Sequence, residues 1–330
     1  MGEEGQHTSV RSPPRSIDKA SALEALITEA RHSLSEIFDD LAATHERGRS
    51  ARRTPPRHGH RLMELIDSVS RSARRFESAQ PAIDVVSIAE LHLTVDLLRQ
   101  ARGRPGWLAN LRAMRNPTTF PHEVVKLAAE RYLTALGNPV QVPGDQGSGE
   151  RSPDLLIIVG QNESMAVEVK APTALQSASG TLQRDDALEI VRRQLRSAGT
   201  GARGQLSPQR PGILVIGGFH LRKADLELLK ELAVELLPRA PGGRKHIAGV
   251  VVLSVGLLAE NIVFEPDRIV SSSETLLHPI IQVRVAKNPS YAAALPIEVI
   301  DEPDLRGEVR KVHGDTKEIA LPPADVDCPM

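Results

Sequence analysis

The sequence predicts an α/β fold with a mixed central sheet, preceded by a helical N-terminal region, and three observations carry that expectation. From residue 117 onward, apolar runs of strand length alternate with segments of helical period. Their order, α-β-β-β-α-β-α-β, requires an antiparallel meander followed by crossovers that create parallel pairs. Upstream of residue 117 the pattern is helical and dotted with arginine.

The elements are read in chain order. Residues 1–15 are polar, carry Pro13 and Pro14, and read as a disordered tail. Ser21 with Glu24 makes a capping-box pattern, and Ile27, Ala30, Leu34, Ile37 and Leu41 recur at helical spacing, so one helix is expected there. The run His45–Arg61 has no apolar face and reads as a linker, near 47–60, within a helical region spanning 16–116. Its histidines, His58 and His60, are expected to be exposed to solvent. Two further helices are predicted around 61–77 and 87–102, the second with Ile88, Leu91, Val95 and Leu98 on one side.

The second unit is expected over 117–300. Thr119 and Pro121 start a helix of about 121–136, and Gly137 stops it. Strands are predicted at Pro139–Val142, Asp154–Val159 and Met165–Lys170. A helix follows over Asp185–Ala198, then a buried strand at Gly212–Gly217, a helix over Lys223–Leu237 and a strand at Gly249–Ser254. Shorter strands are expected at 260–264, 280–285 and 296–300, and the tail 301–330 is polar and Pro-broken.

Composition bounds the chemistry. Hydrophobic residues make up 40% and charged residues 25% of the 330, ordinary globular values. A net charge of −1 argues against a uniformly basic coat, so nucleic-acid binding must come from local patches. Aromatics at 2% leave few rings on which unpaired bases could stack. The single cysteine, Cys328, permits neither an internal disulfide nor a Cys-based zinc site. No stretch approaches the length of a membrane span, and the first residues lack the apolar core of a signal peptide, so no membrane partner and a cytoplasmic location are expected.

The informative segment runs from Ser152 to Pro172. Two apolar runs flank Gly160-Gln161-Asn162, which suits a tight hairpin turn. A turn centred on Gln161 places Asp154 opposite Glu168, because each lies seven residues from it. Strand alternation then puts Glu168 and Lys170 on one face and Val169 on the other. Like charges facing each other across paired strands destabilise the pair, and apolar neighbours raise their desolvation cost. A hard divalent cation relieves that repulsion, and a lysine beside it can orient water or hold a phosphate oxygen.

Pro153-Asp154 followed by Glu168-Val169-Lys170 resembles the PD…ExK signature of the restriction-endonuclease-like nucleases, the PD-(D/E)xK superfamily. The resemblance covers about half the chain. It implies that the region has the family's α-β-β-β-α-β core. It further implies Asp154 and Glu168 as ligands of Mg²⁺ (or Mn²⁺), the Val169 carbonyl as a further ligand, and Lys170 as the catalytic lysine. Many members carry a Gln on the helix after the third strand. Gln194 falls inside the apolar face defined by Ala187, Ile190, Val191, Leu195 and Ala198, and fits that place. Members also place an acid on the first core helix; Glu123 is the candidate ligand, with Glu130 as a second. A helical wheel sets both with Lys126 on a polar stripe, away from Val125 and Ala128. Arg192, Arg193 and Arg196 project outward and could meet phosphates.

The expected function is Mg²⁺-dependent hydrolysis of phosphodiester bonds, in DNA first. A homodimer is compatible with it, since one metal site cuts one strand. The alternative is a non-catalytic module of the same fold that binds DNA or protein.

Overall fold

A computed structural model of the chain describes residues 19–50, 60–77, 84–143, 152–159, 163–176, 181–199, 206–238, 246–265 and 268–291. The expected tails 1–15 and 301–330 and the strand at 296–300 lie outside these residues, as do the turn Gly160–Asn162 and residues 51–59.

Eight α-helices and a six-stranded sheet are present among the described residues. The helices that come first are α1 (Lys19–Ser33), α2 (Phe38–Ser50), α3 (Arg61–Glu77), α4 (Val85–Ala101), α5 (Trp107–Met114) and α6 (Phe120–Ala135). The strands β1 (Val140–Gln141), β2 (Leu155–Ile158) and β3 (Ser164–Lys170) form an antiparallel meander. Helix α7 (Arg184–Gly199) leads to β4 (Gly212–Phe219), and α8 (Lys223–Leu236) leads to β5 (Ile247–Glu265). Both crossovers create parallel pairs, and β6 (Arg268–Lys287) returns antiparallel beside β5. The sheet order β1-β2-β3-β4-β5-β6 is the chain order. Successive crossovers of one hand that always step the same way must put α7 and α8 on one face.

The other face is covered by the N-terminal helices. One continuous apolar cluster runs from Leu23 of α1 through Leu65, Leu91 and Val125 to Val167, Val215, Val251 and Val283 of the sheet. The expected boundary between residues 116 and 117 therefore falls inside a single packed core. A second cluster, with Val191 and Leu195 of α7 and Leu226 and Leu229 of α8, covers Leu214, Ile216 and Val250 on the opposite face. β4 is buried along its whole length between the two layers. Two glycines let those layers come close. A Cβ on Gly217 would lie 2.1 Å from Val125 Cγ1 of α6, and one on Gly218 would lie 2.5 Å from the Leu175 carbonyl on the other side.

A polar clamp also joins the helical layer to the sheet edge. Glu90 of α4, 1% exposed, accepts from Arg61 Nε at 2.9 Å and Nη2 at 2.6 Å, and its Oε2 lies 2.9 Å from His220 Nε2. His220 follows β4 in a left-handed conformation, φ 53°, rare for a residue with a side chain.

Several expectations are corrected. Instead of one helix over 21–41, the chain breaks at residues 34–37 and starts again at Phe38; Ser21 lies inside α1, not at its cap. Helix α2 continues to Ser50, into the expected linker. His60 is fully buried, with Nε2 2.7 Å from the Met114 carbonyl, and the half-buried Arg61 is bonded to Glu90. The strands expected at 260–264 and 280–285 are parts of the long β5 and β6. Helix α5 was not foreseen. Trp107, Asn110, Leu111 and Met114 form its buried face, but Gly103, Pro105 and Gly106 beside it read as a loop.

Candidate functional site

The β2–β3 hairpin supplies the site. Leu155 pairs with Val167, Leu156 with Ala166, Ile157 with Met165 and Ile158 with Ser164, a register symmetric about position 161. Extended by one residue, that register would set Asp154 opposite Glu168, but Asp154 lies just outside β2, so the expected strand Asp154–Val159 is shorter than predicted. Leu155, Ile157, Met165, Val167 and Val169 all enter the cluster on the α6 side, whereas Ala166 enters the one under α7 and α8. Alternation therefore turns Glu168 and Lys170 toward α7.

β2 ends as Asp154 is reached, and its carboxylate takes over the ladder: the Val169 N–H donates to Asp154 Oδ2 at 2.8 Å. The other oxygen, Oδ1, lies 3.4 Å from His122 Nε2 at the start of α6, an ion pair when that imidazole is protonated. Burial alone would raise the Asp154 pKa. The His122 contact, the Val169 amide and the nearby Lys126 charge outweigh it and hold the carboxyl below its ordinary value.

Glu168 has the opposite environment. It is 1% exposed, and Lys170 Nζ donates to its Oε1. Oε2 is buried and has no hydrogen-bond partner among the described residues. Burial first, then the Asp154 charge, push the Glu168 carboxyl up to about 7, against the opposing pull of Lys170. Two neighbouring acids with their pKa values driven apart mark a site where charge has been concentrated at a cost.

The expected first-helix acids are placed differently. Glu123 and Glu130 are buried, so the polar stripe of α6 does not face solvent. Glu123 pairs with Lys126 at 3.0 Å, and Glu130 Oε1 accepts from Arg104 at 2.7 Å. The α6 residue that reaches Asp154 is His122, which the sequence reading missed. Its only signal was a polar residue in the first turn of a helix that packs over the hairpin.

Gln194 is buried on α7, as its place on the apolar face predicts, and Arg192, Arg193 and Arg196 are exposed. Between the end of β3 and α7 lies a cavity of about 830 Å³. Lys170, Pro172, Gln194 and Arg193 are among its walls. The part of the 199–212 connection that is described folds back instead of reaching toward it: Leu206 N–H donates to the Ala198 carbonyl at 3.1 Å and its side chain is buried.

The donor set suits a divalent cation. Two neighbouring carboxylates, one with a buried oxygen that lacks a hydrogen-bond partner among the described residues, are the acids a hard cation takes alongside water and phosphate oxygens. Among the described residues no three His, Cys or acidic side chains are gathered to hold an ion by themselves. Among the described residues no helix is long and apolar enough to cross a membrane. Compared with protein-family models, with curated proteins and with solved structures, the chain matches none.

Proposed function

We propose that the chain is a metal-dependent nuclease of the PD-(D/E)xK type, with a restriction-endonuclease-like core formed by α6, β1–β3, α7 and β4, hydrolysing phosphodiester bonds in DNA. The observation that carries this reading is the proximity of Asp154, bonded to the Val169 N–H, to Glu168, with Lys170 bonded to Glu168 and lining a cavity. Asp154 and Glu168 would hold Mg²⁺ or Mn²⁺, which when bound neutralises phosphate charge and acts as a Lewis acid. Lys170, partly exposed, supplies an ammonium that orients the attacking water or holds a non-bridging oxygen. Val169 and His122 hold the Asp154 carboxylate from either side, so that it meets its ligand already oriented. Gln194 faces the same cavity as Lys170 and offers an amide to the substrate or its water.

Cleavage of a supercoiled plasmid with Mg²⁺, Mn²⁺ or EDTA tests the reading. The wild type should nick with either metal and not in EDTA. Asp154→Ala and Lys170→Ala should each lower the rate by about 10²-fold or more, the range for removing a charge-stabilising group. Wild-type protein that binds DNA but leaves it intact with every metal would refute catalysis.

One feature favours a non-catalytic scaffold of the same fold: Lys170 already neutralises Glu168 without any metal. The plasmid assay separates the two readings.

A further inference from the structure

The cavity wall formed by α7 has its charges sorted along the helix. Asp186, Glu189, Arg193 and Ser197 follow one another at helical spacing, and all four line the cavity. Acids thus occupy the half nearer the start of the helix and a guanidinium the half nearer its end. A phosphodiester strand is repelled from the first half and attracted to the second.

Arg193 is also uncommitted. Glu189 stands four residues before it, a spacing at which ion pairs commonly form. Yet among the described residues Arg193 has no ion-pair partner. Arg184 on the same helix, by contrast, is engaged with Glu235 at 3.1 Å. Next to Arg193, the Gln194 side chain is 9% exposed and opens on the cavity that Lys170 also lines.

We propose that Arg193 is the substrate-positioning residue of this cleft, gripping a backbone phosphate beside the one presented to Lys170, while Asp186 and Glu189 keep the strand off the first half of α7. This rests on the phosphodiesterase reading above. It adds a direction to it: the strand leaves the site past the C-terminal half of the helix.

The test is fluorescence anisotropy of a labelled oligonucleotide, single-stranded and duplex, in EDTA and over a range of salt. Arg193→Ala should weaken binding by about 3- to 10-fold and flatten the dependence of log affinity on log salt by about one contact's worth. Arg112→Ala, an exposed arginine of α5 outside the cavity lining, should change neither. The double variant Asp186→Asn/Glu189→Gln should tighten binding. Because all these positions are exposed on helices, their circular dichroism should match the wild type. If the wild type binds or cuts and Arg193→Ala behaves like Arg112→Ala, the positioning role is overturned while the nuclease reading stands. If the wild type neither binds nor cuts, both fall together.

Discussion

Glu168 is the residue on which stability and chemistry meet. Its carboxyl is raised from 4.5 to about 7 in the folded chain, by burial first and by Asp154 second. Between those two values the native state holds a proton that the unfolded state has lost. Linkage then makes stability fall as pH rises from about 4.5 to about 7 and level off above. The contribution has an upper bound of about 3 kcal/mol, the free energy of the shift. Asp154 has the opposite sign: its lowered pKa lends stability above the ordinary carboxylate range, lost as pH falls through the native value. Urea denaturation in EDTA across this interval checks the sign. Over this interval the wild type should lose stability with rising pH relative to Glu168→Gln, a comparison that cancels the opposite slopes of His60 and His246, whose pKa values burial lowers. A variant whose profile parallels the wild type would show that Glu168 ionises normally.

Among elements, β4 sets how closely the two helical layers approach. Gly217 is needed there because α6 rests directly on the strand, with Val125 where a Cβ would go. Gly217→Ala should destabilise by about 1–3 kcal/mol through overpacking. Adding Val125→Ala should cost less than the sum of the single changes, because the second substitution opens the space the first needs. A double-mutant cycle in denaturant measures that coupling, and simple additivity would contradict it. The same scale shows what was legible in the sequence. The hairpin register and the helices over 61–77, 121–136 and 185–198 follow from local periodicity and turn chemistry, and the structure has them. The break between α1 and α2 left no trace, since Leu34, Ile37 and Leu41 keep helical spacing across it and are all buried. Glu123 and Glu130 were misjudged for one reason, whereas His60 was read from its Pro/Arg/Gly-rich surroundings and not from the α3 start that it precedes. A helical wheel marks polar residues as solvent-facing, but α6 is buried on nearly all sides, and its charges are met by Lys126 and Arg104. His122 reaches Asp154 only through tertiary packing, which no local window contains.

Across the whole molecule, the N-terminal helices act as one layer of the fold and not as an appendage. Leu91 and Val125 share a cluster with Val167 and Val251, and the Glu90–Arg61–His220 clamp fixes α3 and α4 to the end of β4. Deleting residues 1–116 would leave that face of the sheet covered by α6 alone and His220 without its Glu90 partner. The truncated chain should be insoluble or fail to unfold cooperatively, whereas the full chain should give one transition by circular dichroism and by fluorescence of Trp107. A soluble, cooperatively folding fragment would show that the helical layer is dispensable.

The agreement between sheet order and chain order has a consequence during synthesis. The helices that roof one face are complete before the first strand leaves the ribosome, and each later strand docks beside the one made just before it. No strand has to wait for a distant partner or be threaded between two already placed. The growing edge is always the newest one, so the aggregation-prone open edge moves along with translation instead of standing exposed until the end.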